Sequence, residues 1–460
     1  MLTVIDPSNG EVIREVPGLN AAQRDAVIAR ADEAYCDWKT HSFSQRAAVL
    51  KAVAQAMRED RERLALLMTE EMGKPIKEAR GEVDKACWCA EHYAEHAEAY
   101  LEREVIESDA TLSYVQHLPI GVVLGILPWN APFWLAFRFC APALMAGNTC
   151  VMKHDPHVPG CAAAIGEVFE KVTQAMGVPV GIFQNLPLET PEVEGAIRNQ
   201  HVQAVSFTGS TRGGSAVAAI AASEIKHAVL ELGGSDPCIV LADANLDEAA
   251  DIITLSRIIN AGQSCIAAKR IIVEASVYDE MVAKLEARLA RLTMGDPREE
   301  STDVGPIARS DLRDELDRQV QATKQSGARC LLGGELPEGA GYFYPVTLLT
   351  DVTPDMAAAC EETFGPVAVV MKVEDEAQAI ALANATPYGL ASSVWTSRKR
   401  GEAIAARIEA GQVSVNGIVK TDPRLPSGGI KRSGIGRELG SHGIKEFVNA
   451  QQVWVGPKKA

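Results

Sequence analysis

From Gly121 onward the chain repeats one rhythm, a short apolar run followed by a longer stretch with helix spacing. The runs fall at 122–127, 149–152, 181–186, 204–207 and 228–230, and helix candidates fill 132–145, 159–176, 191–199 and 213–222. Pro159 suits a first helical position, where its missing N–H costs nothing. Strand–helix alternation of this kind demands right-handed crossovers and therefore a parallel, doubly wound sheet. In such sheets ligands sit beyond the C-terminal ends of the strands. After Gly233-Gly234 a second series begins, with runs at 238–241, 270–273, 367–371, 392–395 and 413–415 and helices at 247–259, 277–292, 312–326 and 376–384. The expected fold is α/β, with two doubly wound parallel-sheet lobes. The first hundred or so residues read as helical, with Val27, Ala31, Ala34 and Trp38 at helix spacing. The tail at 445–455 returns to a strand pattern, free to pair outside its own lobe.

Length agrees with two lobes, since 460 residues exceed the usual size of one hydrophobic core. A net charge of −16 argues against a nucleic-acid or anionic-membrane partner, where a basic face is expected. No apolar run approaches the roughly 18–20 residues needed to span a bilayer. Residues 1–10 lack the basic and apolar regions of a secretion signal, so a cytoplasmic location is expected. Of the ten cysteines only Cys87 and Cys89 stand close together, as C-W-C, which is neither a zinc nor a thioredoxin spacing. Reduced thiols and no metal site are expected.

Several junction residues can carry chemistry. Cys265, in N-A-G-Q-S-C-I-A-A-K-R, follows a helix candidate through a Gly-containing loop and precedes a strand. A lone cysteine is more often a small buried hydrophobe, and a thiol nucleophile needs a base or a positive field. Glu231 ends the apolar run H-A-V-L-E-L just before Gly233. Burial there raises a carboxylate pKa and suits it to general-base work, although a salt-bridged structural glutamate fits equally well. Asn130 stands in P-W-N-A-P, where two prolines hold the backbone at a strand end. Its amide can donate to a developing oxyanion, or it can simply cap the next helix. In F-T-G-S-T-R-G-G, Gly209 permits close approach, and Ser210 with the free helical N–H groups can meet a pyrophosphate. Lys153 ends T-C-V-M-K, facing a ribose or only solvent.

Taken together and in this order, the motifs resemble those of the aldehyde dehydrogenase superfamily over essentially the whole chain. The family's asparagine motif matches Asn130, its ribose-binding lysine Lys153, and its cofactor-helix start Gly209 and Ser210. Its E-L-G-G base motif matches Glu231 and its G-Q-x-C loop matches Cys265. The E-E-x-F-G-P segment, whose second glutamate binds the nicotinamide ribose, matches Glu362, Phe364, Gly365 and Pro366; the late G-G-x-K-x-S-G-x-G-R-E run matches 428–438. The resemblance implies a dinucleotide-binding domain from 1–101 and 121–232, a catalytic domain from 233–440, and a small β oligomerisation extension from 102–120 and 441–460. It also implies a homodimer or homotetramer, with Trp129 and Phe364 among the cofactor contacts. G-Q-S-C-I-A-A-K-R and L-E-L-G-G-S-D-P look most like bacterial succinate-semialdehyde dehydrogenases. Two positions depart from the family pattern. Ala131 and Ser427 stand where phenylalanine is usual, and they leave room for a longer or bulkier aldehyde.

The implied reaction is NAD(P)-dependent oxidation of an aldehyde to a carboxylic acid through a thioester on Cys265. Asn130 and the Cys265 N–H would hold the oxyanion, and Glu231 would activate water. NAD is expected over NADP, because Asp155 placed against the ribose would accept from a 2′-OH and repel a 2′-phosphate. Arg138, an arginine inside an apolar run, and Arg424 are expected to grip a substrate carboxylate. Against this stand a thioesterase or acyltransferase using the same Cys–Glu pair, and a catalytically silent dinucleotide-binding protein.

Overall fold

The structure is a computed structural model that describes residues 1–457. Its first element corrects the helical reading of the N-terminus. Leu2–Asp6 (β1) and Glu11–Val16 (β2) form an antiparallel hairpin in which Leu2, Val4 and Asp6 alternate inward. Period-two burial over five residues is too short a signal to stand out beside the helices that follow. Those are α1 (Ala21–Trp38), α2 (Phe43–Glu59), α3 (Arg61–Met72) and α4 (Ile76–Tyr100). Capping boxes open α1 and α2, Asn20 with Gln23 and Ser42 with Gln45, and left-handed Gly73 closes α3. Two strands then lead out of the helical layer, β3 (Glu104–Val105) and β4 (Ala110–Pro119).

The first alternating series becomes β5 (Val122–Leu127), α5 (Pro132–Met145), β6 (Thr149–His154), α6 (Pro159–Met176), β7 (Phe183–Asn185), α7 (Val193–Arg198), β8 (Val202–Thr208), α8 (Thr211–Ser223) and β9 (His227–Glu231). All six residues of β5 are buried, as a central strand covered on both faces requires. Parallel strands run β9-β8-β5-β6-β7, so the chain winds one way from β5 through β7 and the other way through β8 and β9. The switch point lies between β5 and β8. Phe137, Phe169 and Phe183 stack in series beneath the sheet.

The second series becomes β10 (Pro237–Val240), α9 (Leu246–Ile258), β11 (Arg270–Glu274), α10 (Tyr278–Leu289), α11 (Ser310–Gln325), β12 (Arg329–Leu332), β13 (Thr347–Thr350), α12 (Ala357–Cys360), β14 (Val367–Val373), α13 (Glu376–Asn384), β15 (Ala391–Trp395), α14 (Arg398–Ala405) and β16 (Gln412–Val415). The sheet order is β12-β13-β14-β11-β10-β15-β16, parallel except at the edge strand β12. Near its end the chain returns to the first lobe. The short β17 (Gly434–Ile435) pairs antiparallel with β9, Gly434 opposite Glu231. After α15 (Gly440–Lys445), β18 (Val448–Pro457) pairs along the whole of β4 in a separate sheet ordered β18-β4-β3. Residues 458–460 of the expected extension lie outside the described residues.

Candidate active site

Strand register gathers the expected residues at one edge. Leu127 pairs with His154, Ile126 with Phe207, and Thr208 with Glu231. The loops leaving β5, β6 and β8 and the end of β9 therefore open on the same side of the first sheet.

Asn130 does not cap α5. Glu82 of α4 takes that place, accepting from Phe133 N at 2.9 Å and Trp134 N at 3.2 Å, and it is itself paired with Lys74. Released from capping, Asn130 donates through Nδ2 to the Gln263 carbonyl at 3.1 Å, two residues before Cys265. Its own carbonyl accepts from Lys74 Nζ and Asn260 Nδ2, each at 2.9 Å. The asparagine of one lobe is thus locked to the nucleophile loop of the other.

That loop starts in a strained conformation. Asn260, Ala261 and Gly262 are all left-handed, with φ of 54°, 53° and 75°. Left-handed backbone costs an alanine about 1–2 kcal/mol, so the turn persists only because its surroundings over-determine it. Glu78 accepts from Asn260 N at 2.7 Å, and buried Arg257 donates to the carbonyls of Gly262 at 2.7 Å and Ala268 at 3.3 Å. Lys269 Nζ donates to the carbonyls of Ser264 at 3.0 Å and Cys265 at 2.6 Å. Cys265 is half-buried, whereas Cys140, Cys150, Cys161 and Cys238 lie in the cores. Burial pushes its thiol up to about 11, against the pull of Lys269 and Arg138.

Glu231 is buried at the end of β9, and its Oε1 has no hydrogen-bond partner among the described residues. A Cβ on Gly428 would come within 2.6 Å of that oxygen, so the glycine keeps its space open. Desolvation lifts the carboxyl above the usual carboxylate range, and Glu438 beside it adds to the lift while Arg138 opposes it. Arg138 itself is buried on α5, paired with Glu438 and 3.6 Å from Glu231 Oε2. Ser206 Oγ donates to Glu438 at 3.2 Å. Arg424 lies in a bidentate pair with Asp422, at 2.8 and 2.6 Å, with its side chain 65% exposed. Both arginines expected to hold a substrate are engaged by carboxylates of the chain itself.

The cofactor residues line the same edge. Ser210 caps α8 by accepting from Gly213 N at 3.2 Å, leaving the preceding N–H groups of the first turn for an anion. Lys153 is buried, and its ammonium makes no hydrogen bond among the described residues, as a residue waiting for a ligand hydroxyl or phosphate would stand. Asp155 differs from expectation. Its Oδ1 accepts from His157 N at 2.9 Å and contacts His157 Nδ1 at 2.6 Å, which turns the carboxylate onto its own loop. From the second lobe Glu362 accepts from Gly234 N at 3.1 Å, and Phe364 meets Trp129 edge-on at 5.9 Å between ring centres. These groups fit a dinucleotide: an anion-ready helix end, a free cation and a carboxylate across the cleft.

Glu438 lies inside the late glycine-rich run, where the sequence offered a signal but no role. Lys269 and Arg257 are buried cations one element from Cys265, a cue available before folding. Nothing local marked Glu78 or Glu82, which sit on an ordinary amphipathic helix.

The aldehyde dehydrogenase family model matches residues 1–453. The chain belongs to the aldehyde dehydrogenase family. Among relatives of this aldehyde dehydrogenase, a Synechocystis sp. protein named probable succinate-semialdehyde dehydrogenase (NADP+) is 44% identical over 455 residues, covering 99% of each chain. Succinate-semialdehyde dehydrogenase (NADP+) 1 of Mycobacterium bovis is 43% identical over 461 residues, again covering 99% of each. A solved succinic semialdehyde dehydrogenase from Streptococcus pyogenes, in complex with NADP+, superimposes with a TM-score of 0.95 at 34% identity, covering 99% of this chain and 100% of that one. The enzyme is an NAD(P)-dependent oxidoreductase acting on an aldehyde.

Proposed function

We propose that this aldehyde dehydrogenase oxidises succinate semialdehyde to succinate, with Cys265 as nucleophile, Glu231 as general base and Asn130 as oxyanion donor. The observation that carries the assignment of roles is the interlobe lock. Asn130 donates to the carbonyl of Gln263, which ties an amide N–H donor of the first lobe to the loop that carries the half-buried thiol. Cys265 gives its proton to Glu231, which releases it to solvent, and the sulfur bonds the aldehyde carbon. The oxygen, now anionic, is held by Asn130 Nδ2 and the Cys265 N–H. A nicotinamide cofactor held by Lys153 and Glu362 would supply the hydride acceptor, which would leave Cys265 carrying a thioester. Glu231 then takes a proton from water, the hydroxide attacks the thioester, and the acid leaves as the thiol re-forms. Lys153 and Glu362 are assigned to the two riboses, with Trp129 and Phe364 walling the cofactor and Gly209 and Ser210 facing the pyrophosphate.

For the substrate's far carboxylate, Arg138 keeps Nε without a hydrogen-bond acceptor among the described residues, so it would have to be shared with Glu438. Lys85 adds a second cation. It lies 4.1 Å from the Trp134 ring, donates to Thr421 Oγ1 at 2.9 Å, and is pushed down to about 8 by burial, with Arg138 adding to the effect. Arg424, spent on Asp422, is assigned to the rim. We place NADP ahead of NAD. Asp155 is turned onto His157 instead of standing free to repel a 2′-phosphate, and both named relatives carry NADP+ in their names. The same reading gives residues 1–101 and 121–232 to cofactor binding, 233–440 to catalysis, and 102–120 with 441–460 to a homo-oligomeric interface.

Formation of NAD(P)H from succinate semialdehyde and from butanal, with each cofactor, tests the assignment. The semialdehyde should be preferred, and Arg138→Ala and Lys85→Met should narrow the preference. Butanal used equally well by the wild type would refute the carboxylate anchor, and a higher kcat/KM with NAD would reverse the cofactor order. Turnover surviving in Cys265→Ala would remove the nucleophile.

A further inference from the structure

Behind the nucleophile loop lies a cluster of buried charges that the reaction as written does not use. Lys269 has no exposed side-chain surface, and it stands at the hub. On one side its ammonium holds the carbonyls of Ser264 and Cys265 at 3.0 and 2.6 Å. On the other it lies 3.6 Å from Glu362 Oε1, the oxygen that also accepts from Gly234 N. Asp236 is buried nearby, its Oδ2 without a hydrogen-bond partner among the described residues, and its carbonyl accepts from the N–H groups of Lys269 and Arg270 at 3.1 Å each. Arg270 spends its donors on the carbonyls of Ser235, Leu382 and Ala383, and Arg257 gives Nη1 and Nη2 to those of Ala268 and Gly262 while its Nε has no partner among the described residues.

We propose that Lys269 is a positioning residue that couples the ribose-binding carboxylate Glu362 to the reactivity of Cys265. The inference rests on the roles given above to Cys265 and Glu362. A single ammonium divides its charge between a carboxylate and the backbone of the nucleophile. A ribose hydroxyl donating to Glu362 draws the carboxylate's charge away and leaves more of the ammonium's field for the developing thiolate. No bond is made or broken at Lys269, which acts only through charge and hydrogen bonds. The groups facing the thiol are Lys269 and Arg138, which favour the thiolate, and Asp236 and Glu231, which oppose it. An uncharged side chain at 269 removes the nearest favourable charge and uncouples the two sites.

The experiment follows the rate of Cys265 alkylation by iodoacetamide against pH, read by mass spectrometry of the Cys265 peptide, with and without NADP+. In the wild type, cofactor should move the midpoint downward. In Lys269→Met the midpoint should stand about one pH unit or more higher, and cofactor should no longer move it. Lys269→Arg should restore part of the low midpoint. Should Lys269→Met fail to fold, Glu362→Gln reads the same coupling from the other side: its midpoint should already be low and should not respond to cofactor. A Lys269→Met profile equal to the wild type, or a cofactor response kept in either variant, overturns the proposal. Loss of turnover in Cys265→Ala alongside that result separates its failure from a failure of the nucleophile assignment.

Discussion

At the scale of single residues the decisive arrangement is Arg138 between Glu438 and Glu231. A buried guanidinium 3.6 Å from Glu231 helps set how readily that carboxyl gives up its proton. Because Arg138 lowers the Glu231 pKa, removing it must raise that pKa further. A base works only when deprotonated, so thioester hydrolysis is lost as pH falls through the raised value. Arg138→Met should therefore move the acidic limb of kcat to higher pH by about one unit or more, whatever aldehyde is used. A variant that changes only KM for the semialdehyde, with the limb in place, would show that Arg138 serves the substrate alone. Glu231→Gln bears on the same step. A carboxamide takes no proton from water, so rapid mixing should show no more than one NAD(P)H per Cys265, followed by a stall. Steady turnover at the wild-type rate would exclude Glu231 as the base.

At the scale of elements, the turn from α9 into the nucleophile loop stands out. Gly262 has φ +75°, and a Cβ there would run into the carbonyl of Gly365, in the segment that carries Glu362. Left-handed strain and overlap with backbone act together, so Gly262→Ala should cost about 2–4 kcal/mol and misplace Cys265. Thermal melting and turnover should both fall. Unchanged turnover with a lowered melting temperature would mean that the loop tolerates a shift the tight packing argues against. The glycine itself was readable in N-A-G-Q-S-C, and so was a loop at this place. Left-handed Asn260 and Ala261 were not, because their conformation is imposed by Glu78 on α4, remote in sequence. The shortening of the 181–186 run to β7 has the same character, since a 3-10 turn at Val180–Ile182 claims its first residues.

At the scale of the molecule, the three-stranded sheet of β18, β4 and β3 carries apolar side chains out into solvent: Val105, Leu112, Trp454 and Val455 are all exposed. Apolar surface concentrated on one small sheet is the mark of an interface. Trp454→Lys with Val455→Lys should convert a dimer or tetramer to monomers in size-exclusion chromatography with light scattering. A wild type that already runs as a monomer would remove the oligomeric expectation. Much at this scale needed no coordinates. Alternating apolar runs and helix spacing determine two doubly wound lobes, because parallel strands joined by helices have few ways to pack. The order of short motifs puts Asn130 and Glu231 at the C-terminal ends of β5 and β9, where such sheets hold their ligands, and Cys265 in the loop before β11. Tertiary structure alone decided which charge meets which. Arg138 spends itself on Glu438, 300 residues away along the chain, Asp155 turns to His157, and Lys269 spans Glu362 and Cys265. Periodicity records which face of an element is buried, but a buried charge takes the partner that folding brings within a few ångströms, and sequence distance carries no trace of that choice.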